Sequence, residues 1–250
     1  MIDLSTLEGY CHQFLEVERF DDYCPNGLQV EANSQVRRLL TGVTACQALI
    51  DEAVAWKADL LLVHHGFFWK GEAAPIRGIK ARRIASLLNN GISLLAYHLP
   101  LDAHAELGNN RQLAQQLGFT GPRPTTAAQG LLWQGRLPQV LAAGELAATI
   151  SRQLGHQVLH IPAGRERIER IGWCTGAAQG YIEEAARLGL DAYLSGEISE
   201  PTVHLARELG IDYFAAGHHA TERYGVQALG RHLAGRYGLA HRFVDIDNPV

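Results

Sequence analysis

The chain has 250 residues, of which 47% are hydrophobic and 19% are charged, and its formal net charge is −4. This composition is typical of a folded globular protein and allows one large domain or two small ones. The acidic balance argues against nucleic acid as the main partner, but it leaves open a local basic groove or a central pore in an oligomer. No segment reaches the roughly 18 consecutive apolar residues of a membrane span, so we expect no membrane association.

The spacing of the cysteines and the number of histidines narrow the class of protein further. The cysteines Cys11, Cys24, Cys46 and Cys174 lie far apart and form no CxxC pair, which argues against a zinc ribbon or a thioredoxin-like motif. The N-terminus shows no secretory signal, so we expect a reduced, cytoplasmic protein. Histidine is unusually frequent, with 12 residues, and many of them lie at predicted strand ends.

Hydrophobic periodicity predicts alternating strands and helices. Ser5 and Glu8 form a capping-box pattern at the start of the first helix. Because a strand–helix–strand order gives a right-handed crossover, the later strands should pair in parallel. Strands are predicted at 39–43, 59–63, 92–97, 131–133, 157–161, 168–174, 191–194, 211–215 and 243–246, and helices at 45–57, 79–88, 110–117, 141–154, 180–188, 200–209 and 220–237.

The two halves of the chain repeat one pattern. Segment 118–130 is rich in Gly, Pro and Thr and predicts a linker, which gives the domains 1–124 and 125–250. In each half an aspartate, Asp59 or Asp191, opens a strand, and a later strand leads to a His-x-x-x-carboxylate step. We predict an α/β fold of two similar, interlocked α/β domains with mixed, largely parallel sheets. Ligands bind at strand C-terminal ends in such sheets, so we expect a metal site there, between the domains.

Two adjacent histidines, His64 and His65, end the most apolar predicted strand. Imidazole and carboxylate groups are ligands of Zn, Mn, Fe and Ni, and the strand ends together offer more donors than one ion needs. Because neighbouring strand residues point to opposite faces, each histidine should serve its own metal ion. A carboxylate can bridge two ions, and Asp102 and Glu222 are the candidates for that role.

The last predicted helix supplies two further candidates. If it begins directly after Gly217, His218 and Glu222 lie one turn apart on the same face, which suits two-point ligation. His219 would then point about a quarter of a turn away. It is therefore the weaker candidate of the two adjacent histidines.

Other polar residues near the strand ends have less direct roles. Pro100 prevents a regular helix after His98, so we interpret His98 as a neighbour of the ligands or a proton shuttle. His104 is a further donor after the same strand. We interpret Glu197 as a structural carboxylate and His204 as a partly buried residue in the middle of a helix.

Several motifs resemble those of a known family. The resemblance is to the NGG-interacting-factor-like proteins, also called GTP cyclohydrolase 1 type 2 homologues, in the compact form without an inserted middle domain. It covers nearly the whole chain and implies a two-domain α/β fold in a ring-shaped homohexamer. It also implies a dinuclear metal site with ligands His64, His65, Asp102, His218 and Glu222, the last of these bridging. The motifs are 26–30 (NGLQV), 64–66 (HHG), 98–102 (HLPLD), 108–110 (GNN), 195–197 (SGE) followed by His204, and 217–222 (GHHATE).

Three functions agree with these features. The first is a metal-dependent hydrolase with two divalent ions per subunit (Fe, Mn, Zn or Ni), in which metal-activated water opens a ring or cleaves a phosphoester of a small molecule. His98 would be its catalytic proton relay. The second is a non-catalytic metal-binding or chaperone-like ring. The third is a nucleic-acid-binding ring associated with DNA repair.

Overall fold

The computed structural model describes residues 1–250 and has an α/β architecture. It divides into two compact units. The first contains Met1–Leu101 and Gly225–Asp247, and the second contains Asp102–Tyr224 and Asn248–Val250. Both units are discontinuous in sequence, and the last helix begins in the second unit and continues in the first.

Strands and helices alternate along most of the chain, and no helix is long and apolar enough to cross a membrane. The strands are β1 (Ile2–Asp3), β2 (Gly27–Val30), β3 (Gln35–Val36), β4 (Arg38–Thr44), β5 (Leu60–His65), β6 (Ser93–Ala96), β7 (Thr120–Pro124), β8 (Trp133–Leu141), β9 (Leu159–Ile161), β10 (Ile168–Cys174), β11 (Ala192–Ser195), β12 (Asp212–Ala215) and β13 (Ala240–Phe243). The α-helices are α1 (Leu4–Phe14), α2 (Gln47–Ala55), α3 (Gly78–Asn89), α4 (Leu99–Ala103), α5 (Asn109–Gln116), α6 (Ala143–Leu154), α7 (Ile182–Arg187), α8 (Glu200–Leu209) and α9 (His218–Tyr237).

The first unit is built on a five-stranded sheet in the order β13-β4-β5-β6-β2. Neighbouring strands from β13 to β6 are parallel, and β2 is antiparallel at the edge. In the central strand β5, Leu60, Leu61, Leu62 and Val63 are fully buried, as expected for a parallel strand covered on both faces. Leu60 and Leu62 pack with α1 and α9, whereas Leu61 and Val63 pack with α2 and α3.

The second unit is built on a six-stranded sheet in the order β7-β8-β10-β11-β12-β9. The three strands β10, β11 and β12 are parallel, and the flanking strands are antiparallel. Its core joins Trp133, Trp173 and Phe214 of the sheet to Leu146 and Ile150 of α6. The prediction of an α/β fold with mixed, largely parallel sheets is therefore confirmed.

A shared hydrogen-bond pattern at the strand starts supports the predicted internal repeat. Oδ2 of Asp59, just before β5, accepts from the backbone N–H groups of residues 37–38, both at 2.8 Å. Oδ2 of Asp191, just before β11, accepts from those of residues 169–170, at 3.1 and 2.8 Å. Each aspartate thus ties the start of its own strand to the start of the neighbouring one.

The predicted capping box at the first helix is wrong. The helix α1 begins at Leu4, and its N-terminus has no side-chain cap. It follows β1 directly, because the Leu4 N–H donates to the carbonyl of Ser34 at 2.9 Å, so Ser5 already lies inside the helix. The Glu8 Oε1 instead accepts from the N–H of Leu28 at 2.8 Å and fixes β2 against α1.

Two loop predictions also differ from the structure. Segment 118–130, predicted as a linker, contains β7 and so contributes to the second sheet. A short helix, α4, runs through Pro100, although proline was expected to prevent it. Proline in the first turn of a helix gives up no intrahelical hydrogen bond, so it does not break the helix there.

Candidate functional site

The C-terminal end of β5 brings His64 and His65 together. The strand continues through both residues, and their ring centroids are 4.6 Å apart. The fully buried His64 has its Nδ1 2.8 Å from the carbonyl oxygen of Tyr97. Because a carbonyl only accepts hydrogen bonds, the neutral ring carries its proton on Nδ1 and its lone pair on Nε2. Nδ1 of His65 lies 3.2 Å from Oγ1 of Thr44, so both rings are oriented through Nδ1.

His98 follows β6 and joins this pair. Ring nitrogens of His64, His65 and His98 lie within 4.8 Å of one another, which is close enough for imidazoles that share a metal ion. Nδ1 of His98 is 2.7 Å from Oδ1 of Asp22, whose side chain is only 4% exposed. A carboxylate on Nδ1 fixes the tautomer and the orientation of a histidine and raises the basicity of Nε2.

Asp22 is held in its ionised form by a set of hydrogen bonds. Besides the contact with His98, its oxygens accept from the N–H of Tyr23 at 2.6 Å, the amide of Asn26 at 2.8 Å and the N–H of Leu99 at 3.0 Å. Burial raises the pKa of Asp22, but the hydrogen bonds, led by that of His98, outweigh burial and hold the pKa below 3.8. The turn before β2 therefore anchors His98.

Aromatic side chains form a wall beside the histidines. The ring of Trp69, in the loop after β5, lies 5.0 Å from that of His98 and 5.8 Å from that of His65. Tyr23 lies 6.3 Å from His98 and is 59% exposed. Phe67, from the same loop as Trp69, is instead buried in the core. Trp69 thus lies beside the histidine cluster, and Phe67 anchors the same loop in the hydrophobic core.

In the second unit, α9 places His218 and Glu222 one turn apart. The helix begins at His218, directly after Gly217, so the two side chains share a face as the sequence predicts. Nε2 of His218 is 3.0 Å from Oε2 of Glu222, and Glu222 is 2% exposed. Carboxylate oxygens of Asp102 and Glu222 lie within 4.8 Å of each other. This unit therefore holds two buried carboxylates and one imidazole at the start of α9 and at Asp102.

Glu197 is the second partner of His218. Its Oε1 lies 2.7 Å from Nδ1 of His218. Burial lowers the pKa of His218, but Glu222 and Glu197 outweigh burial and raise the pKa to about 9. The ring is therefore protonated at neutral pH, and a metal ion that bound its Nε2 would replace that proton. Glu197, predicted as a structural carboxylate, orients a candidate ligand.

Gly176 leaves room for the carboxylate of Glu222. A Cβ at this position would lie 2.0 Å from Oε1 of Glu222 and 3.2 Å from Nε2 of His218, and the backbone φ is +69°. The N–H of Gly176 donates to Oγ1 of Thr221 at 3.1 Å, and its carbonyl accepts from Oγ of Ser195 at 3.0 Å. Because Gly176 has no side chain and its backbone is held by these two hydrogen bonds, the Glu222 carboxylate can occupy the space next to it.

Asp102 is fixed by residues from two other elements. Its Oδ1 accepts from the amide of Asn109 at 2.8 Å and from the hydroxyl of Thr175 at 3.2 Å. The amide of the fully buried Asn110 donates to the Asp102 carbonyl at 3.2 Å, and its Oδ1 accepts from the N–H of Thr175 at 3.1 Å. The end of β10, the start of α5 and Asp102 therefore form one rigid group.

The remaining candidate histidines make local contacts. Nδ1 of His104 accepts from the backbone N–H groups of residues 106–107 at 3.3 and 3.0 Å. His204, predicted to be partly buried, is exposed and lies 3.1 Å from Glu200, one helical turn away. His219 is buried, and its N–H donates to the carboxyl-terminal residue at 2.9 Å.

Asp22 and Thr175 are the site residues that the sequence interpretation missed. Asp22 precedes Asn26 by four residues, and Asn26 opens the NGLQV motif, so the motif itself was the available signal. Thr175 ends the segment that repeats residues 41–44, and that repeat was its signal. In both cases the role depends on a partner more than 70 residues away, with sequence separations of 76 and 73.

A family model matches nearly the entire chain. The family is Duf34/NIF3 (NGG1p interacting factor 3), and the match covers residues 2–249. The chain belongs to this family. The resemblance inferred from the motifs is thereby confirmed.

Individual relatives are similar in sequence to this NIF3-family chain over all or nearly all of its residues. A protein of Allochromatium vinosum named GTP cyclohydrolase 1 type 2 homolog is 57% identical over 250 residues, which are 100% of this chain and 98% of that protein. A Pseudomonas aeruginosa protein of the same name is 55% identical over 251 residues, with coverage of 100% and 99%. A solved structure described as protein ybgI, of unknown function, is 47% identical with a TM-score of 0.96 and covers all of both chains.

Proposed function

We propose that this NIF3-family protein binds two divalent metal ions per subunit and uses them in hydrolysis of a small molecule. The proposed ligands are His64, His65, Asp102, His218 and Glu222, with Glu222 bridging. The metal would be Fe, Mn, Zn or Ni, because imidazole nitrogens and carboxylate oxygens suit these ions. The observation that carries the proposal is the concentration of such donors in each unit, the adjacent His64 and His65 in one and two carboxylates with a histidine in the other.

The donors fit metal ions better than they fit a purely structural role. Burying ionised carboxylates costs several kcal/mol unless opposite charge compensates, and both Asp102 and Glu222 are at most 5% exposed. Protonated His218 compensates Glu222 in part. Divalent ions would compensate the charge of both carboxylates. The Glu222 carboxylate also occupies a space beside Gly176 that a side chain at position 176 would fill.

The surrounding residues support hydrolysis. Divalent ions lower the pKa of bound water and stabilise charge that develops on a reacting oxygen. Asp22 orients His98 so that Nε2 can accept and return a proton, a role worth about 10²–10⁴-fold in rate in known enzymes. The ring of Trp69 lies beside those of His98 and His65 on one side. Hydrolytic attack on a purine ring and phosphoester cleavage both suit these groups.

The proposal extends to assembly and location. The resemblance implies a homohexameric ring, which we adopt as part of the proposal. The four cysteines are all unpaired, which supports a reducing, cytoplasmic environment. The net charge of −4 supports a small-molecule substrate over nucleic acid.

Metal content per subunit tests the binding step. Elemental analysis of the protein as isolated should find two equivalents of a divalent metal. The variant Glu222→Ala should lose both, whereas Glu208→Ala, which removes an exposed carboxylate from α8, should keep both. Retention of both ions by Glu222→Ala would show that this residue does not bridge them.

Turnover tests the hydrolase assignment separately. Metal-reconstituted protein should hydrolyse at least one compound in a panel of nucleotides and phosphoesters. The variant His98→Gln should keep its metal and lose about 10²-fold or more in kcat. Full metal occupancy without turnover across the panel would instead assign the protein to non-catalytic metal binding.

A further inference from the structure

A basic groove lies on the outer antiparallel part of the second unit's sheet. Its volume is about 230 Å³, and it is lined by Thr120, Arg123, Gln134, Arg136 and Arg170, together with two glycines. These residues belong to the neighbouring strands β7, β8 and β10. None of them is a proposed metal ligand, so the groove is a feature apart from the candidate metal site.

The strand register places the polar side chains of the groove on one face. Thr120 pairs with Arg136, and Arg136 pairs with Arg170 on the next strand. In the adjacent row Arg123 pairs with Gln134. Directly opposite residues in antiparallel strands project from the same face, and residues two apart on one strand also share a face. The three arginines therefore project from a single side of the sheet.

This arrangement is unfavourable for stability alone. Like charges directly opposite each other across two strands are destabilising, yet Arg136 and Arg170 face each other. Arg136 forms an ion pair with Glu169, and Arg170 donates to the carbonyl of Leu188 at 2.9 Å. The second nearby carboxylate, Asp191, accepts from the backbone N–H of Arg170 and pairs with a further guanidinium, that of Arg165, at 3.4 Å. Two carboxylates against four guanidinium groups leave a local excess of positive charge in a chain whose net charge is −4. Arrangements that lower stability, such as these facing like charges, are found mainly at functional sites.

The backbone shapes the groove. The ladder between β7 and β8 is irregular between Thr120 and Arg123, and bulges of this kind re-aim side chains at sheet edges. Gly135 permits close approach of β7, because a Cβ there would lie 2.9 Å from the carbonyl oxygen of Thr120. The irregular ladder and the close approach of β7 therefore help to shape the groove that the side chains line.

We propose that this groove binds a small phosphate-bearing molecule. Guanidinium groups form paired, charge-assisted hydrogen bonds to phosphate oxygens, and Arg123 and Arg136 are exposed enough to make them. The amide of Gln134 adds a neutral donor, whereas the hydroxyl of Thr120 donates to the carbonyl of Arg136 at 3.2 Å. A volume of about 230 Å³ fits a di- or triphosphate group rather than a whole drug-sized ligand. This inference goes beyond the proposed metal chemistry and needs no metal ion.

Calorimetry with inorganic triphosphate tests the groove on the 250-residue protein after removal of metal. We expect saturable binding with a Kd below about 1 mM that weakens as salt is added. Arg123→Ala and Arg136→Ala should each weaken binding about tenfold, because each removes charged hydrogen bonds. Both side chains are exposed, so the fold should persist, and a thermal melt checks this. Arg152→Ala removes the same charge from an exposed position on α6 and should change Kd less than about twofold.

Three results would overturn the proposal. The first is absence of saturable binding to the unsubstituted protein. The second is an equal loss of affinity in Arg152→Ala, which would indicate diffuse charge attraction. The third is displacement of triphosphate by a single-stranded oligonucleotide with a steep salt dependence, which would indicate a nucleic-acid surface instead. Binding should persist in His64→Ala, so failure of the metal-site proposal would leave this result unaffected.

Discussion

Nε2 of His218 lies 3.0 Å from Oε2 of Glu222 across the first turn of the helix α9. This contact joins a protonated imidazole to a carboxylate that is 2% exposed. The proton and a metal ion therefore compete for the same position, and metal binding at His218 should release a proton. The geometry around this pair depends on Gly176, which can be tested directly.

Gly176→Ala should disrupt the position of Glu222. The new Cβ would lie 2.0 Å from Oε1 of Glu222, and the backbone φ of +69° adds strain. We expect metal content to fall by at least half and the free energy of unfolding to fall by about 2–4 kcal/mol, as for overpacking and a left-handed backbone together. Elemental analysis and chemical denaturation measure the two effects.

Gly155→Ala is the matched control for that substitution. Gly155 has a φ of +64° and no atom within 4 Å of an added Cβ, so it carries the backbone strain without the clash. It should lose about 1–2 kcal/mol and keep its metal. Equal effects of the two substitutions would mean that Gly176 matters only for its backbone conformation.

Asp22→Asn should destabilise the protein in a pH-dependent way. The folded-state pKa of Asp22 lies below 3.8, so its ionised form adds stability at all pH values above about 3.8. That contribution declines as the pH falls further, because the unfolded chain takes up the proton first. We expect a loss of about 1.5–3 kcal/mol at pH 7 that shrinks below pH 3.8. Denaturation midpoints of both proteins across this range measure it.

Asp21→Asn provides the control for the Asp22 experiment. Asp21 is the preceding residue and is exposed, so its substitution should change stability by less than about 0.5 kcal/mol at any pH. A difference between Asp22→Asn and the unsubstituted protein that stayed constant down to strong acid would contradict the assigned ionisation of Asp22.

The sequence was sufficient to place those candidate site residues whose position depends on local periodicity. The strand that ends in His64 and His65 follows from an apolar run, and the pairing of His218 with Glu222 follows from four-residue spacing on a helix. Both inferences need only the geometry of one element. In the structure β5 ends at His65, and α9 begins at His218 with Glu222 one turn later.

Contacts between distant segments could not be predicted in this way. Asp22 orients His98 from a sequence distance of 76, and Thr175 holds Asp102 from a distance of 73. Each pairing requires knowledge of strand order and of which turns meet, and hydrophobic patterns do not contain that information. The same limit explains why Glu8 was expected to cap its own helix, whereas it bonds to β2.

The native thiols should differ sharply in reactivity. Burial raises the pKa of Cys11 to about 12 and that of Cys24 to about 12. Burial also raises the pKa of Cys174, and the charges of Asp102 and Glu222 add to the effect. Since the thiolate is the reactive form, an alkylating reagent at neutral pH should modify the partly exposed Cys46 first. Peptide mapping by mass spectrometry measures the order.

Unfolding provides the control for thiol reactivity. In concentrated guanidinium chloride all four cysteines should react at similar rates, because the environments that distinguish them are lost. Reaction of Cys11 or Cys174 as fast as Cys46 in the native protein would contradict the burial of these thiols by α1 and by the end of β10.

The repeated aspartates should make similar contributions to the two units. Asp59→Ala and Asp191→Ala each remove two charge-assisted hydrogen bonds to backbone N–H groups. Asp191→Ala also removes a partly exposed ion pair with Arg165 at 3.4 Å, which should contribute less than about 1 kcal/mol. We expect each to lower the free energy of unfolding by about 2–4 kcal/mol, because the N–H groups at the strand starts lose their acceptor. Chemical denaturation measures the loss, and Asp51→Ala, at an exposed helix position, should cost less than about 0.5 kcal/mol. A loss confined to one of the two aspartates would show that the hydrogen-bond pattern repeats in geometry but not in energy.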